Sequence, residues 1–354
     1  MKRIEKIRAL PEMANIDALL FRNGNNRFYL TGFRSSAGMV MITKEKAFFF
    51  TDSRYIEAAQ TAVKDAEVII TDQDHREQDR ISEIVSAYGV KRLGIEESMS
   101  HAEFLALDEK TDAELVASEG MVKSLREIKD EDEKNAVLSA QAITERVFEE
   151  VLRLIAPGVT EREIAAEIVY RQLKYGAEGM SFDPIVVTGA KSSMPHGTPG
   201  DIKIQVGDFV TMDFGCVKNG YCSDMTRTVA IGHATDEMRR VYQVVLDAQC
   251  AGIELARAGV IGRDIDAAGR QVITDAGYGE FFGHGFGHGV GIEVHEGPNA
   301  SLREERPMPV GAIISAEPGI YLPGRFGVRI EDLLYITQDG NENLTKVPKD
   351  LLVI

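Results

Sequence analysis

The chain has 354 residues, of which 44% are hydrophobic and 27% are charged. A chain of this length is longer than one hydrophobic core usually organises, which predicts two domains. The formal net charge of −16 argues against a nucleic-acid partner, because phosphate binding needs a basic face. No stretch approaches the ~20 apolar residues of a membrane-spanning helix, so we expect no membrane association.

The N-terminus and the cysteines indicate a compartment. Residues 1–8 are mostly charged and lack the apolar run of a signal peptide. The three cysteines are an odd and small number, which is typical of a reducing compartment and does not suggest a disulfide framework. We therefore expect a cytoplasmic protein.

Residues 1–120 alternate between helical and strand-like patterns, which predicts an α/β domain. Residues 23–26 have neither the glycine spacing nor the lysine of a phosphate loop, and this half contains no metal-ligand cluster. The predicted helices span residues 4–13, 53–63, 79–88 and 101–107, and the predicted strands span residues 17–21, 27–31, 39–43, 47–51, 66–70, 91–95 and 113–116.

A highly charged stretch follows, and we interpret residues 121–130 as a linker to a second domain over residues 131–354. Asp130 or Asp132 is expected to cap a helix that continues to Ile155. Thr160 and Glu163 form a capping-box pattern at the start of the next helix. Together with later strands, this predicts an α+β domain. Two further helices are predicted over residues 236–258 and 263–276.

Two phrases in this second domain resemble each other, residues 207–215 (Gly-Asp-Phe-Val-Thr-Met-Asp-Phe-Gly) and residues 311–319 (Gly-Ala-Ile-Ile-Ser-Ala-Glu-Pro-Gly). In both segments, a glycine leads into an apolar strand, and the seventh residue counted from this glycine is acidic. Another acid comes 11 or 14 residues later. Two related hairpins predict a domain with pseudo-twofold symmetry and a site across its axis. The four acids are Asp213, Asp224, Glu317 and Glu331.

The first hairpin has a register that the sequence predicts. Asn219-Gly220 is typical of a two-residue type I′ turn, which pairs Lys218 with Tyr221 and Asp213 with Thr226. Asp213 and Asp224 then point to the same face as diagonal neighbours. In the second hairpin, a loop centred on Gly324 would place Glu317 opposite Glu331, although the sequence permits other registers.

Residues 283–291 read Gly-His-Gly-Phe-Gly-His-Gly-Val-Gly. Glycine allows positive φ and close approach of other groups, which argues against a packing role for His284 and His288. A single acid on a strand more often faces water. Four carboxylates on converging buried faces, however, cannot all stay ionised without cations. We therefore predict a metal centre built from these four acids and His288.

The ligand set is rich in oxygen, which favours Mn²⁺ or Co²⁺ over a structural Zn²⁺ site built on cysteine. Cys216 is expected on the opposite face from Asp213, and Cys222 on the same face as Asp224, both as packing residues. The remaining histidines in site-like loops, His196, His284 and His295, are candidates for proton transfer and oxyanion stabilisation.

These residues also carry a resemblance to a known family. The motifs Asp213-Phe-Gly, Ser223-Asp-Met-Thr-Arg-Thr, Gly287-His-Gly-Val-Gly, Ala316-Glu-Pro-Gly and Arg329-Ile-Glu-Asp resemble those of the pita-bread metallopeptidases, which include prolidase, aminopeptidase P, methionine aminopeptidase and creatinase. The resemblance covers the whole chain. It implies a creatinase/prolidase-like N-terminal domain followed by a pita-bread (creatinase/aminopeptidase-like) catalytic domain.

The resemblance also implies ligand roles. Asp213 would bind one metal ion, His288 and Glu317 the other, and Asp224 and Glu331 would bridge both. Glu317 would in addition act as the general base. Mn²⁺ is the favoured metal, with Co²⁺ or Zn²⁺ as alternatives.

Substrate-side roles follow from the same resemblance. His284 and His295 match the substrate-side histidines of the family, and His196 matches the histidine near the leaving group. Arg329 matches an arginine beside the metal carboxylates. A proline-containing peptide is the implied substrate, and a homodimer is the implied assembly.

The choice among members depends on which parts are present. All five ligands are present, unlike in creatinase, and the N-terminal domain is present, unlike in methionine aminopeptidase. This favours an Xaa-Pro dipeptidase (prolidase). The alternative is an Xaa-Pro aminopeptidase acting on longer peptides, and no residue decides between the two. A catalytically silent binding protein on the same fold is a more remote alternative.

Overall fold

The structure is a computed structural model that describes residues 2–118 and 120–354. The chain divides into two compact units, Met1–Arg126 and Glu127–Ile354. This division lies inside the stretch interpreted as a linker, whose residues up to Glu127 belong to a helix, Met121–Glu127. In the described part of the chain, no helix is both long enough and apolar enough to cross a bilayer.

The first unit is built on a six-stranded mixed sheet. Its strands are β1 (Ala18–Phe21), β2 (Met39–Thr43), β3 (Ala47–Thr51), β4 (Glu67–Ile70), β5 (Arg92–Ile95) and β6 (Glu114–Ala117). They lie in the order β4-β3-β2-β1-β5-β6. Leu20, Met41, Phe50 and Leu93 belong to the buried core, and the α/β prediction for this unit is confirmed. The helices are α1 (Arg3–Arg8), α2 (Gly24–Thr31), α3 (Ile56–Ala62), α4 (Glu77–Ala87), α5 (His101–Asp108) and α6 (Met121–Glu127).

The strand predicted over residues 27–31 is wrong, because these residues belong to helix α2. The Asn23 side chain caps this helix by accepting hydrogen bonds from two backbone N–H groups, and Gly32 ends it with a φ of 70°. The short run of bulky residues is compatible with both a strand and a helix. The caps at its two ends decide for the helix.

Two predicted helices of this unit are shorter than expected. The helix predicted over residues 4–13 ends at Arg8 and is followed by a 3₁₀ segment, Pro11–Asn15. Proline has no N–H for a continuing α-helix, which explains the break. The helix predicted over residues 53–63 starts only at Ile56 and has no side-chain cap.

The second unit combines four helices with several small sheets, so the α+β prediction is confirmed. The helices are α7 (Glu131–Val151), α8 (Glu161–Lys174), α9 (Asp236–Leu255) and α10 (Gly262–Asp275). The strands are β7 (Gly179–Met180), β8 (Ile185–Thr188), β9 (Phe209–Phe214), β10 (Cys216–Lys218), β11 (Tyr221–Cys222), β12 (Met225–Ala230), β13 (Gly287–Gly289), β14 (Glu296–Ala300), β15 (Ile313–Ala316), β16 (Gly319–Leu322), β17 (Phe326–Arg329), β18 (Asp332–Ile336) and β19 (Asn341–Asn343).

The predicted helix caps of this unit are confirmed. Asp130 and Glu133 form a capping box at α7, and Thr160 and Glu163 form another at α8. Helix α7 ends at Val151, four residues before the predicted end at Ile155.

Both hairpins adopt the registers that bring their acids together. Asn219 and Gly220 have φ values of 51° and 77°, as a type I′ turn requires, and the predicted pairs of the first hairpin form. In the second hairpin, β15–β18 and β16–β17 share one register. Glu317 therefore stands opposite Glu331.

Candidate active site

A cavity of about 560 Å³ opens in the second unit, and all nine site residues named from the sequence line it. They come from five chain segments that are distant in the sequence. The nine residues are His196, Asp213, Asp224, His284, His288, His295, Glu317, Arg329 and Glu331.

Three of the four acids lie where a strand is interrupted. Asp224 follows β11, Glu317 lies between β15 and β16, and Glu331 lies between β17 and β18. At two of these interruptions, the backbone forms a hydrogen bond with a neighbouring segment. The Glu331 N–H donates to Thr226 O at 3.1 Å, and the Glu317 N–H donates to Phe286 O at 2.8 Å. The first bond joins the two hairpins, and the second joins the second hairpin to the segment 283–291.

The strand that carries His288 packs unusually close to β15. The His288 N–H donates to the hydroxyl of Ser315 at 3.0 Å, and this hydroxyl donates to Glu317 Oε1 at 3.1 Å. A Cβ atom on Gly287 would lie 1.9 Å from Ser315 O. The glycine before His288 is therefore required for the approach of the two strands.

The imidazole of His288 faces the acids. Its Nε2 atom lies 3.1 Å from Glu317 Oε1 and 3.7 Å from Asp224 Oδ2. One ligand atom each from Asp224, His288 and Glu331 falls within 4.8 Å of the others. This spacing is suitable for a shared cation.

Arg329 connects the acids to Tyr321 and Thr226, two residues that had no predicted role in the site. Its Nη2 donates to Asp213 Oδ2 at 2.6 Å, its Nη1 to the hydroxyl of Tyr321 at 2.9 Å, and its Nε to Thr226 Oγ1 at 3.1 Å. The Thr226 hydroxyl donates in turn to Glu331 Oε2 at 2.8 Å.

A signal for both of these residues was present in the sequence. Thr226 is the partner of Asp213 in the predicted hairpin register. Tyr321 follows Glu317 by four residues, an even spacing that places two strand residues on one face.

One oxygen of each of three acids remains without a hydrogen-bond partner although it is buried: Asp213 Oδ1, Asp224 Oδ1 and Glu331 Oε1. Burial raises the pKa of Asp213. Burial and the neighbouring carboxylates raise the pKa values of Asp224 and Glu331 well above their usual range. Buried carboxylate oxygens are normally satisfied, and divalent cations would satisfy these. The residues present therefore fit a metal centre.

The pKa values of Glu317 and His288 shift in the directions that favour their charged forms, because the two side chains form an ion pair. Although burial opposes ionisation, the hydrogen bond and charge of His288 lower the pKa of Glu317 to about 2. Burial also opposes the charged form of His288, but Glu317 and Asp224 raise its pKa to about 9. Without a cation, the imidazolium thus supplies the positive charge at this position.

The other histidines lie around the acids. His284 Nδ1 is 2.8 Å from Gly285 O, so this nitrogen carries the hydrogen, and Nε2 accepts from Tyr321 at 2.8 Å. Burial lowers the pKa of His284, which keeps the ring neutral. The ring of His295 lies 4.3 Å from that of His288, and burial and the charge of His288 lower the pKa of His295. His196 is exposed on the cavity wall.

Cys216 and Cys222 are buried packing residues, as predicted. Cys216 Sγ donates to Ala140 O at 3.4 Å, and Cys222 Sγ to Ile292 O at 3.5 Å. Neither belongs to the candidate metal-binding group found among the described residues.

Comparison with known proteins defines the class. Residues 135–338 match the profile of metallopeptidase family M24, and residues 3–128 match that of the creatinase/prolidase N-terminal domain. The chain belongs to metallopeptidase family M24, is a peptidase and has the pita-bread fold.

Individual relatives extend over the whole chain. The chain is 41% identical to the uncharacterized peptidase YqhT of Bacillus subtilis, over 99% of this chain and 100% of the relative. A solved Xaa-Pro dipeptidase from Bacillus anthracis is 40% identical with a TM-score of 0.96, and 99% of each chain is covered. A solved X-Pro aminopeptidase from Thermotoga maritima is 38% identical with a TM-score of 0.91, over 96% of this chain and 98% of that chain.

Proposed function

We propose that this peptidase hydrolyses Xaa-Pro peptide bonds at a centre of two divalent cations held by Asp213, Asp224, His288, Glu317 and Glu331. The observation that carries the proposal is the set of three buried, unpartnered carboxylate oxygens beside His288. The names of two similar solved proteins, an Xaa-Pro dipeptidase and an X-Pro aminopeptidase, support the choice of substrate.

We assign Asp213 to one cation and His288 with Glu317 to the other, with Asp224 and Glu331 shared by both. Mn²⁺ is the favoured metal because the site is rich in oxygen, and Co²⁺ or Zn²⁺ are the alternatives. When bound, such a pair of cations polarises a carbonyl group and makes a water molecule nucleophilic near neutral pH.

The side chains around the acids have separate tasks in this proposal. Ser315 holds Glu317 Oε1, and we assign Glu317 as the general base. We assign His295 and His284 to the substrate and His196 to the leaving group, since all three line the cavity. Arg329 neutralises Asp213 and orients its free oxygen.

Dipeptidase activity is our first candidate, and one observation favours the alternative of an aminopeptidase. A dipeptide brings a C-terminal carboxylate into the cavity together with its proline. The arginine of the cavity wall, Arg329, already donates to Asp213 and Tyr321, and the other basic lining residues are histidines. A peptide that continues beyond the proline places no carboxylate at this position.

Release of the first residue from Ala-Pro and from Ala-Pro-Ala by the Mn²⁺-loaded protein separates these candidates. Faster release from Ala-Pro supports the dipeptidase, and equal or faster release from Ala-Pro-Ala overturns it. If neither peptide is cleaved, the remaining candidate is a binding protein without catalytic activity. The cytoplasmic location and the homodimer stay predictions.

Metal dependence has its own test. Asp224→Ala and His288→Ala should each abolish turnover and metal content together. Full activity of chelator-treated, dialysed protein would exclude the proposed metal centre.

A further inference from the structure

A buried glutamine behind the acids contacts both strands of the second hairpin. Gln249 belongs to helix α9 and is 0% exposed. Its Nε2 donates to Ala316 O at 3.0 Å and to Ile330 O at 3.3 Å. These are the carbonyl groups of the residues immediately before Glu317 and Glu331. One side-chain amide therefore joins the two strands next to both acids.

The hairpin needs such a donor at this point. Strand pairing stops at Ala316–Asp332 and resumes at Gly319–Arg329, and in this register Pro318 stands opposite Ile330. Proline has no N–H, so it cannot donate to Ile330 O across the ladder. Buried carbonyl groups are almost always hydrogen-bonded, and Gln249 supplies the bond.

The orientation of this amide is also determined. Lys349 Nζ lies 2.9 Å from Gln249 Oε1. An ammonium group can only donate, so the oxygen of the amide must face Lys349 and its NH₂ group must face the two carbonyls. Lys349 is held in turn by Asp332 Oδ2 at 2.9 Å.

The same polar group reaches the far side of Glu331. Asp332 Oδ1 accepts from Arg227 Nη2 at 2.8 Å, and Arg227 Nη1 donates to Glu331 O at 2.5 Å. The backbone is thus held on both sides of this acid, by Gln249 before it and by Arg227 after it. The carboxylate can turn only about its own side-chain bonds.

We propose that Gln249 is a positioning residue for the metal centre, and that Lys349 orients it. The amide keeps the backbones of Glu317 and Glu331 at the separation at which both carboxylates reach the same cations. Gln249 does not line the cavity, so it acts through these two acids. The inference rests on the proposed metal centre.

Gln249→Met tests this role, because methionine keeps the length and apolar packing of glutamine but cannot donate. We expect the Mn²⁺ dissociation constant, measured by equilibrium dialysis, to rise by roughly 10–100-fold, as for other groups that orient metal ligands. Gln243→Met is the matched control on the same helix. Within residues 2–118 and 120–354, its amide bonds only to the exposed neighbour Asp247, so the Mn²⁺ dissociation constant of this variant should equal that of the wild type.

Lys349→Met is the second variant, and it remains informative if Gln249→Met fails to fold, because Lys349 is partly exposed. It should also weaken Mn²⁺ binding, while Lys349→Arg, which keeps a donor, should restore it. Wild-type Mn²⁺ affinity in a folded Gln249→Met, or in Lys349→Met if the former does not fold, overturns the positioning role. A wild-type protein that binds no Mn²⁺ overturns the metal centre instead.

Discussion

The guanidinium group of Arg329 lies 2.6 Å from the carboxylate of Asp213, and both side chains are buried. The arginine occupies Asp213 Oδ2 and leaves Oδ1 without a partner. Because the guanidinium group binds one oxygen of the carboxylate, the other oxygen is left to face the remaining acids. This pairing carries the first prediction.

Arg329→Met should lower the affinity for Mn²⁺ by roughly 10–100-fold, because Asp213 and Thr226 lose the group that orients them. Metal content after dialysis against a fixed Mn²⁺ concentration measures this effect. Arg325→Met is the control, since Arg325 lies at the exposed tip of the same hairpin. Equal metal content in the two variants would contradict the orienting role of Arg329.

The stability of the metal-free protein should depend on pH. Burial raises the pKa values of Asp213, Asp224 and Glu331, and Glu317 raises that of His288 to about 9 although burial opposes it. A group with a raised pKa in the folded state stabilises the fold at low pH and loses this effect as the pH rises through that pKa.

His288 therefore destabilises the metal-free protein as the pH rises from about 6.5, its usual pKa, towards about 9. The raised pKa values of Asp213, Asp224 and Glu331 act in the same direction. Glu317, with a pKa of about 2, is ionised across this window in both states and adds no slope. We expect the metal-free Tm to fall over the window, and Mn²⁺ to raise the Tm more at the higher pH. Scanning calorimetry measures both. Glu331→Gln should flatten the slope, and an unchanged slope in that variant would assign the pH dependence to other groups.

The third prediction compares two glycines of the segment 283–291. Gly287→Ala would force a Cβ atom to within 1.9 Å of Ser315 O, so β13 must move away from β15. Overpacking of this kind typically costs about 1–3 kcal/mol. We expect both a lower free energy of unfolding and weaker Mn²⁺ binding, because His288 moves with its strand.

Gly283→Ala is the control for this comparison. Gly283 is exposed, and an added Cβ atom would meet nothing within 4 Å. Urea titrations of the two variants should differ clearly in midpoint. If the two midpoints coincide, the close approach at Gly287 does not limit the fold.

The fourth prediction concerns the loop that carries His196. Glu161 is 0% exposed and holds both ends of this loop. It accepts from the N–H groups of Thr188 and Gly200, each at 2.9 Å, and from Lys191 Nζ at 2.6 Å. Loss of this charge should make the loop around His196 more mobile and leave the positions of the four acids unchanged.

Glu161→Gln should therefore raise the KM for Ala-Pro by about tenfold, since a hydrogen bond to a charged group contributes roughly 1.5–3 kcal/mol. Metal content should stay at the wild-type level. Glu163→Gln removes a neighbouring but exposed carboxylate of the same helix and should leave the KM unchanged. A fall in metal content instead of a rise in KM would reject this assignment.

Local patterns in the sequence were sufficient for several parts of the fold. The Asn219-Gly220 turn permits positive φ at both positions and thereby sets the first hairpin register. The capping box of Thr160 and Glu163 satisfies backbone donors within four residues. Such features depend only on neighbours in the chain, so the sequence alone determines them.

Short apolar runs without a clear period were not sufficient to distinguish a helix from a strand. Residues 27–31 fit either a strand or a helix, and the caps at Asn23 and Gly32 decided for helix α2. Likewise, the second hairpin permitted several loops, and its register depends on pairing along the whole of β15–β18.

The four acids and His288 could be named as candidates from the sequence, because they lie in motifs that can be recognised without coordinates. Only the tertiary structure could decide which groups stand behind them. Gln249 and Arg227 reach the backbone beside Glu317 and Glu331 through contacts between residues that are far apart in the chain. Such contacts have no local pattern, since they exist only after the helices and hairpins have packed together.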